Sequence, residues 1–207
     1  DHAGHPREGG RLDPEGRDPA LRQIVVIGHS QGGLLTKATA VTTGDVLIRA
    51  VTGKGVAELG LSPEDEQLVR AYTDLKPLPE VKRVVFLSTP HRGSFLAGGF
   101  VRRLGKRFIR LPQQAVQTTA EFMRLAPKVG SHVRLATTSL DSMAPDNPAM
   151  LALAEIPVLP PVHAHSIIAI KGDEQPPEGD DGVARYTSAH IAGVDSEMVV
   201  RSGHSCQ

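Results

Sequence analysis

The sequence contains no tryptophan, and aromatic residues make up only 3% of its 207 positions. A platform of stacked rings for single-stranded nucleic acid is therefore not expected. An excess of charge is missing too: 23 Lys plus Arg stand against 23 Asp plus Glu. No bulk field draws the chain to nucleic acid or to an anionic membrane. The single cysteine, Cys206, excludes an internal disulfide framework. No apolar run reaches the ~18 residues of a membrane span, and the opening stretch "DHAGHPREGG" does not read as a secretory leader. Internal repeats and low-complexity segments are absent as well.

What is present suffices for one packed domain. Hydrophobic residues make up 40% of the chain, and a chain of this length buries roughly 70% of its unfolded surface. Residues 1–19 are rich in Gly, Pro and charge and read as a loop or disordered lead-in. "QIVVI", Gln23 to Ile27, has the length and composition of a strand buried on both faces. "LLTKATAVTT", Leu34 to Thr43, reads as a helix stopped by Gly44. Ser62-Pro63-Glu64-Asp65 marks another helix start, with a capping serine, a first-turn proline and acids at the positive end. That helix runs to about Leu75, before Pro77 and Pro79. "RVVFLS", Arg83 to Ser88, is a second buried strand. Residues 95–130 read as helical and carry Arg102, Arg103, Lys106, Arg107 and Arg110 with no acid among them. This run reads first as a solvated basic face; contact with an anionic membrane surface is the weakly supported alternative. Asn147-Pro148 opens a short helix through Glu155. "SIIAIK", Ser166 to Lys171, and "SEMVV", Ser196 to Val200, are two more strands. Such alternation predicts an α/β fold with a mostly parallel sheet flanked by helices.

The chemistry centres on Gly28-His29-Ser30-Gln31-Gly32, a G-x-S-x-G pattern between a strand and a helix. A serine hydroxyl is a poor nucleophile unless it stands exposed beside a base. A sharp strand-to-helix turn puts it there, with strained backbone at the serine and no room for Cβ atoms at Gly28 and Gly32. The backbone N–H of Gln31, at the start of the helix, is the expected oxyanion donor. The competing reading is a glycine-rich turn whose serine merely caps the helix. His29 should point away from the side chain of Ser30 and reads as structural.

A nucleophile in this chain order needs an acid and then a histidine downstream. "KGDEQPPEGDDGVARYTSAH" supplies five acids after the third strand: Asp173, Glu174, Glu178, Asp180 and Asp181. Asp181 is the candidate, because Gly182 permits a tight turn that aims its carboxylate inward; Asp180 is the runner-up. A calcium loop lacks its spacing here. His204, just past the last strand, is the candidate base, with His190 as competitor. Cys206 reads as a passive small residue. His163 and His165 form a possible metal pair without a third ligand, and polar contacts near the start of their strand explain them better.

"IVVIGHSQGGLL", "VVFLSTPHRGS" and "GDDGVARYTSAH" with "SEMVVRSGHS" together resemble the alpha/beta-hydrolase superfamily over residues 20–207. More narrowly, they resemble its lipase/esterase branch, which includes GPI-inositol-deacylase-like bacterial hydrolases. The resemblance implies a serine hydrolase of carboxylic esters, with Ser30 as nucleophile, Asp181 as acid and His204 as base. It implies an ester or lipid substrate, no cofactor, and a helical cap insert at about residues 95–160. It puts Thr89-Pro90-His91-Arg92-Gly93-Ser94 near the site, with His91 ordering the loop. Members of the superfamily carry strands before the nucleophile turn, a loop giving a second oxyanion donor, and a helix after the catalytic histidine. This sequence shows none of them, so a domain truncated at both ends is expected, with an open hydrophobic edge on the nucleophile strand. An acyltransferase or thioesterase on the same fold, and a non-catalytic remnant lacking the oxyanion loop, are the alternatives.

Overall fold

The computed structural model describes residues 17–95 and 144–206. Four strands form one sheet in the order β1-β2-β3-β4: β1 (Ile24–His29), β2 (Val81–Leu87), β3 (His163–Ile170) and β4 (Ser196–Arg201). Every neighbouring pair is parallel, so the expected α/β layering holds. All four strands deliver their carboxyl ends to one rim. Turns at the carboxyl ends of parallel strands are where ligand chemistry collects.

Local chemistry explains the helices. The helix α1 (Gln31–Ala38) follows β1 with Ser30 as the only intervening residue, and packs on β1 and β2. Next come α2 (Val46–Thr52) and α3 (Pro63–Thr73). Ser62 caps α3, its hydroxyl accepting from the N–H of Asp65 at 3.2 Å, with Pro63 at the first position; such a cap contributes about 1 kcal/mol. In α4 (Pro148–Glu155) the Asn147 side chain accepts from the N–H groups of Ala149 and Met150. A single helical turn, α5 (Tyr186–Ala189), precedes β4.

The core under the sheet gathers Val81, Val84, Phe86, Ala164 and Ile191 around Ala40. A smaller cluster, Ile48, Val56 and Val69, holds α2 against α3. β3 is the most buried strand.

Three sequence expectations are corrected. β1 is not buried on both faces: it forms an edge of the described sheet, and Val25 and Ile27 are 51% and 63% exposed. The helix begins at Gln31, as expected, but ends at Ala38 rather than running to Thr43. Beyond it, the Thr39 and Ala40 carbonyls accept from the N–H groups of Leu78 and Leu159, and Ala40 and Val41 turn fully into the core. The capped turn Pro19–Arg22, held by the Asp18 carboxylate on the Ala20 N–H, lies partly within the expected loop. Arg102, Arg103, Lys106, Arg107, Arg110 and most of the cap expected at 95–160 lie outside the described residues, as do residues 1–16.

Candidate active site

Ser30 occupies the one-residue turn between β1 and α1, with φ 54° and ψ −130°. This is a conformation that side-chain-bearing residues rarely adopt. The Ser30 N–H donates to the Leu87 carbonyl at 2.9 Å, and its own carbonyl accepts from Gly33 at 3.0 Å, so β2 and α1 hold the strained geometry. Gly28 makes the close approach possible. A Cβ there would lie 2.2 Å from Thr36 Oγ1 and 2.6 Å from the Gly32 carbonyl. Gly33 is equally tight, 1.8 Å from Thr89 Oγ1. The expectation for Gly32 fails: a Cβ at that position meets nothing within 4 Å among the described residues. The crowding falls one residue later because Gly33, not Gly32, faces the Thr89 loop.

The Ser30 hydroxyl makes no capping bond to α1. It lies 2.7 Å from Nε2 of His204 instead. His204 Nδ1 lies 2.7 Å from Asp181 Oδ2. An ionised carboxylate only accepts, so Nδ1 carries the hydrogen, and Nε2 is the nitrogen turned to the Ser30 hydroxyl. Asp181 is 3% exposed, and its Oδ1 accepts from the N–H groups of Val183 and Ala184, each at 2.8 Å. Burial by itself raises this carboxyl. The hydrogen bond from His204 and those backbone donors outweigh it and hold the group below its ordinary range.

The structure separates the candidates left open by the sequence. Asp180 Oδ1 accepts from the Gly182 N–H at 2.7 Å and shapes the turn, while Asp181 faces His204. His190 sits elsewhere, with Nδ1 2.7 Å from Glu197 and its ring stacked on Tyr186. His163 lies 3.4 Å from Asp195, and His165 meets Arg83 and Ser196. Among the described residues no cluster of three or more His, Cys, Asp or Glu could hold a metal ion. A surface hollow lined by Arg22, Gln23, Pro79, Glu80 and Lys82 lies at the amino ends of β1 and β2, away from these residues.

A second set of contacts builds the surroundings. Ser188 Oγ donates to the Gly93 carbonyl and Ser94 Oγ to the Val183 carbonyl, both at 2.5 Å. Arg92 donates to the His190 carbonyl and pairs with Glu155 at 2.9 Å. The loop after β2 is thereby buttoned to the loop that carries Asp181. His91 is fully buried there, edge-on to Phe86 with ring centroids 4.8 Å apart. Both of its ring nitrogens lack a hydrogen-bond partner among the described residues. Burial, then the nearby cations Lys37 and Arg92, push it down to about 3, so it is neutral. Lys37, 1% exposed, donates to the Ala154 carbonyl at 2.7 Å. Burial and Arg92, opposed by Glu155, lower it to about 8. Ser88, with φ 43°, accepts from the Ala169 N–H and lies 3.1 Å from Cys206 Sγ. Sequence reasoning missed the roles of Arg92, Ser94 and Ser188. The run Arg92-Gly93-Ser94 just past a strand was the available signal, but its partners lie nearly a hundred residues away.

No family model and no curated protein matches the sequence.

Proposed function

We propose that the protein is a serine hydrolase of carboxylic esters, a lipase- or esterase-like member of the alpha/beta-hydrolase superfamily. The carrying observation is the unbroken line from Ser30 Oγ through His204 to Asp181, with 2.7 Å at each link. A serine that only capped a helix would turn its hydroxyl to the helix N–H groups; this one, in a strained turn, turns to an imidazole. The parallel four-stranded sheet with helices on it agrees with the proposed superfamily and does not single it out.

In this reading the Ser30 hydroxyl attacks the acyl carbonyl carbon as His204 Nε2 takes its proton. Asp181 fixes the tautomer and stabilises the imidazolium. The Gln31 backbone N–H, at the amino end of α1, donates to the tetrahedral oxyanion. His204 returns the proton to the leaving alcohol, leaving an acyl-serine. Water, deprotonated by the same imidazole, releases the acid. The chemistry requires no cofactor.

The test is turnover of aryl esters of graded acyl length, with and without an added alcohol. Hydrolysis that disappears in Ser30→Ala supports the reading. Acyl transfer to the alcohol in preference to water redirects it to an acyltransferase, and preference for thioesters redirects it to a thioesterase. Equal rates for wild type and Ser30→Ala reject it in favour of a non-catalytic chain.

A further inference from the structure

We infer that His29 is a positioning residue that holds the His204 imidazole in line by gripping the backbone of that same residue. The inference rests on the ester-hydrolase reading of the site and adds to it a residue that the reaction scheme does not use. His29 is the last residue of β1 and immediately precedes Ser30. Strand alternation sends its side chain away from that of Ser30, yet both side chains end on His204. Ser30 Oγ meets the imidazole Nε2, and His29 Nε2 lies 2.7 Å from the His204 carbonyl oxygen. A carbonyl only accepts, so His29 Nε2 carries the hydrogen and donates it. The two rings lie beside each other, centroids 5.0 Å apart and tilted by 48°.

The need for such a grip follows from where His204 sits. It lies in the turn past β4, the far edge strand of the described sheet, whereas Ser30 lies past β1 at the other edge. On the sheet side, Asp181 holds His204 twice, by carboxylate to Nδ1 and by backbone carbonyl to the His204 N–H at 3.0 Å. His29 is the matching hold on the nucleophile side. Without it, the His204 peptide keeps the Asp181 carbonyl on its N–H and only a long contact, 3.9 Å, from Cys206 Sγ to its own carbonyl oxygen, and the imidazole can swing about the Asp181 anchor away from Ser30. Because the His29 bond is exposed, water competes for it and it adds little to global stability. A displacement of about 1 Å at a reacting group, in contrast, costs up to roughly 10²-fold in rate. The loss therefore falls on kcat and spares the fold.

Two uncharged replacements separate donation from charge and from ring packing. His29→Phe keeps a flat ring without a donor, and His29→Gln keeps a donating amide of similar reach. Three quantities are read: the labelling rate with a fluorophosphonate, the split between kcat and KM, and the sharpness of the downfield His204 Nδ1–H proton signal. We expect His29→Phe to label about 10–100-fold more slowly. Its KM should stay within about twofold and its melting temperature unchanged, and the Nδ1–H signal should broaden. His29→Gln should restore both labelling and signal. Labelling and Nδ1–H signal at wild-type levels in His29→Phe, or no rescue by His29→Gln, overturns the inference. If the wild type itself does not label, the ester-hydrolase reading fails, and the proton signal still decides this point: unchanged in His29→Phe it refutes the grip, broadened there and restored in His29→Gln it upholds it.

Discussion

His204 is joined to Asp181 twice, ring to carboxylate at 2.7 Å and backbone N–H to backbone carbonyl at 3.0 Å. Asp181 thus fixes both the tautomer and the location of the His204 imidazole. Asp181→Asn keeps the shape but presents an amide to Nδ1, so the wrong nitrogen is protonated, and kcat should fall by roughly 10⁴. Asp180→Asn, whose carboxylate faces Gly182 instead, should stay within a few-fold of wild type. Equal losses in the two variants would reassign the acid.

The same carboxyl makes a pH statement. Its folded-state value is depressed below the ordinary 3.8, so its stabilising contribution is present above that value and is lost as the pH falls through the folded value. Chemical denaturation of wild type and Asp181→Asn should therefore differ at pH 7 and converge in acid, as the pH falls from 3.8 through the depressed folded value. A gap that persists undiminished there contradicts the hydrogen-bonded, ionised Asp181.

The glycines around the Ser30 turn are not interchangeable. Gly33→Ala drives a methyl into Thr89, and Gly28→Ala drives one into Thr36 and the Gly32 carbonyl; each should cost several kcal/mol or prevent folding. Gly32 lies in α1 with open space around a Cβ among the described residues. Gly32→Ala should therefore gain about 0.5–1 kcal/mol of helix propensity. Thermal melts of the three variants check the order.

His91 carries two buried nitrogens with no partner among the described residues, and each orphaned group costs about 1–3 kcal/mol relative to hydration. His91→Phe retains the edge-on contact with Phe86 and should stabilise the protein by about 1 kcal/mol at neutral pH. Between the ordinary 6.5 and the folded value of about 3, the unfolded chain binds a proton that the native chain refuses. Wild-type stability therefore falls as the pH drops through this window, and the advantage of His91→Phe should widen. Denaturant titrations at pH 7 and pH 5 measure it; a narrowing gap is the contrary result.

Lys37 gives the mirror case on the alkaline side. Between about 8 and 10.5 the unfolded chain retains a proton that the native chain has released, so this residue makes stability rise with pH across that window. Lys37→Met should flatten the rise. An unchanged slope in the variant means that Lys37 keeps its charge inside the fold.

Much of this architecture was legible in the residues. Ser62-Pro63 and Asn147-Pro148 start helices because each pairs a side-chain acceptor with a proline that needs no N–H, chemistry confined to a few neighbouring positions. β2 and β3 read as strands from unbroken apolar runs, and the turn at Ser30 from its glycines. What escaped depends on contacts remote in sequence. Residues 46–52 form a helix although "VLIRAVT" is rich in β-branched residues, whose intrinsic helix preference is weak; packing of α2 against α4 decides it. The early end of α1, where Leu78 and Leu159 take the carbonyls, was hidden for the same reason. In the site, spacing and chain order pointed to Ser30, Asp181 and His204, because a turn and two strand ends are local signals. The interior placement of Lys37 and the reach of His29 to the His204 carbonyl are not local, and no periodicity encodes them.

The central claim is that the Ser30 hydroxyl is activated by His204 for attack on an acyl carbon. Reaction of the protein with a fluorophosphonate, followed by peptide mass mapping, tests it most directly. The account predicts a single adduct on the peptide containing Ser30, abolished in Ser30→Ala and slowed by orders of magnitude in His204→Ala. An unlabelled protein, or an adduct that survives Ser30→Ala, would contradict it.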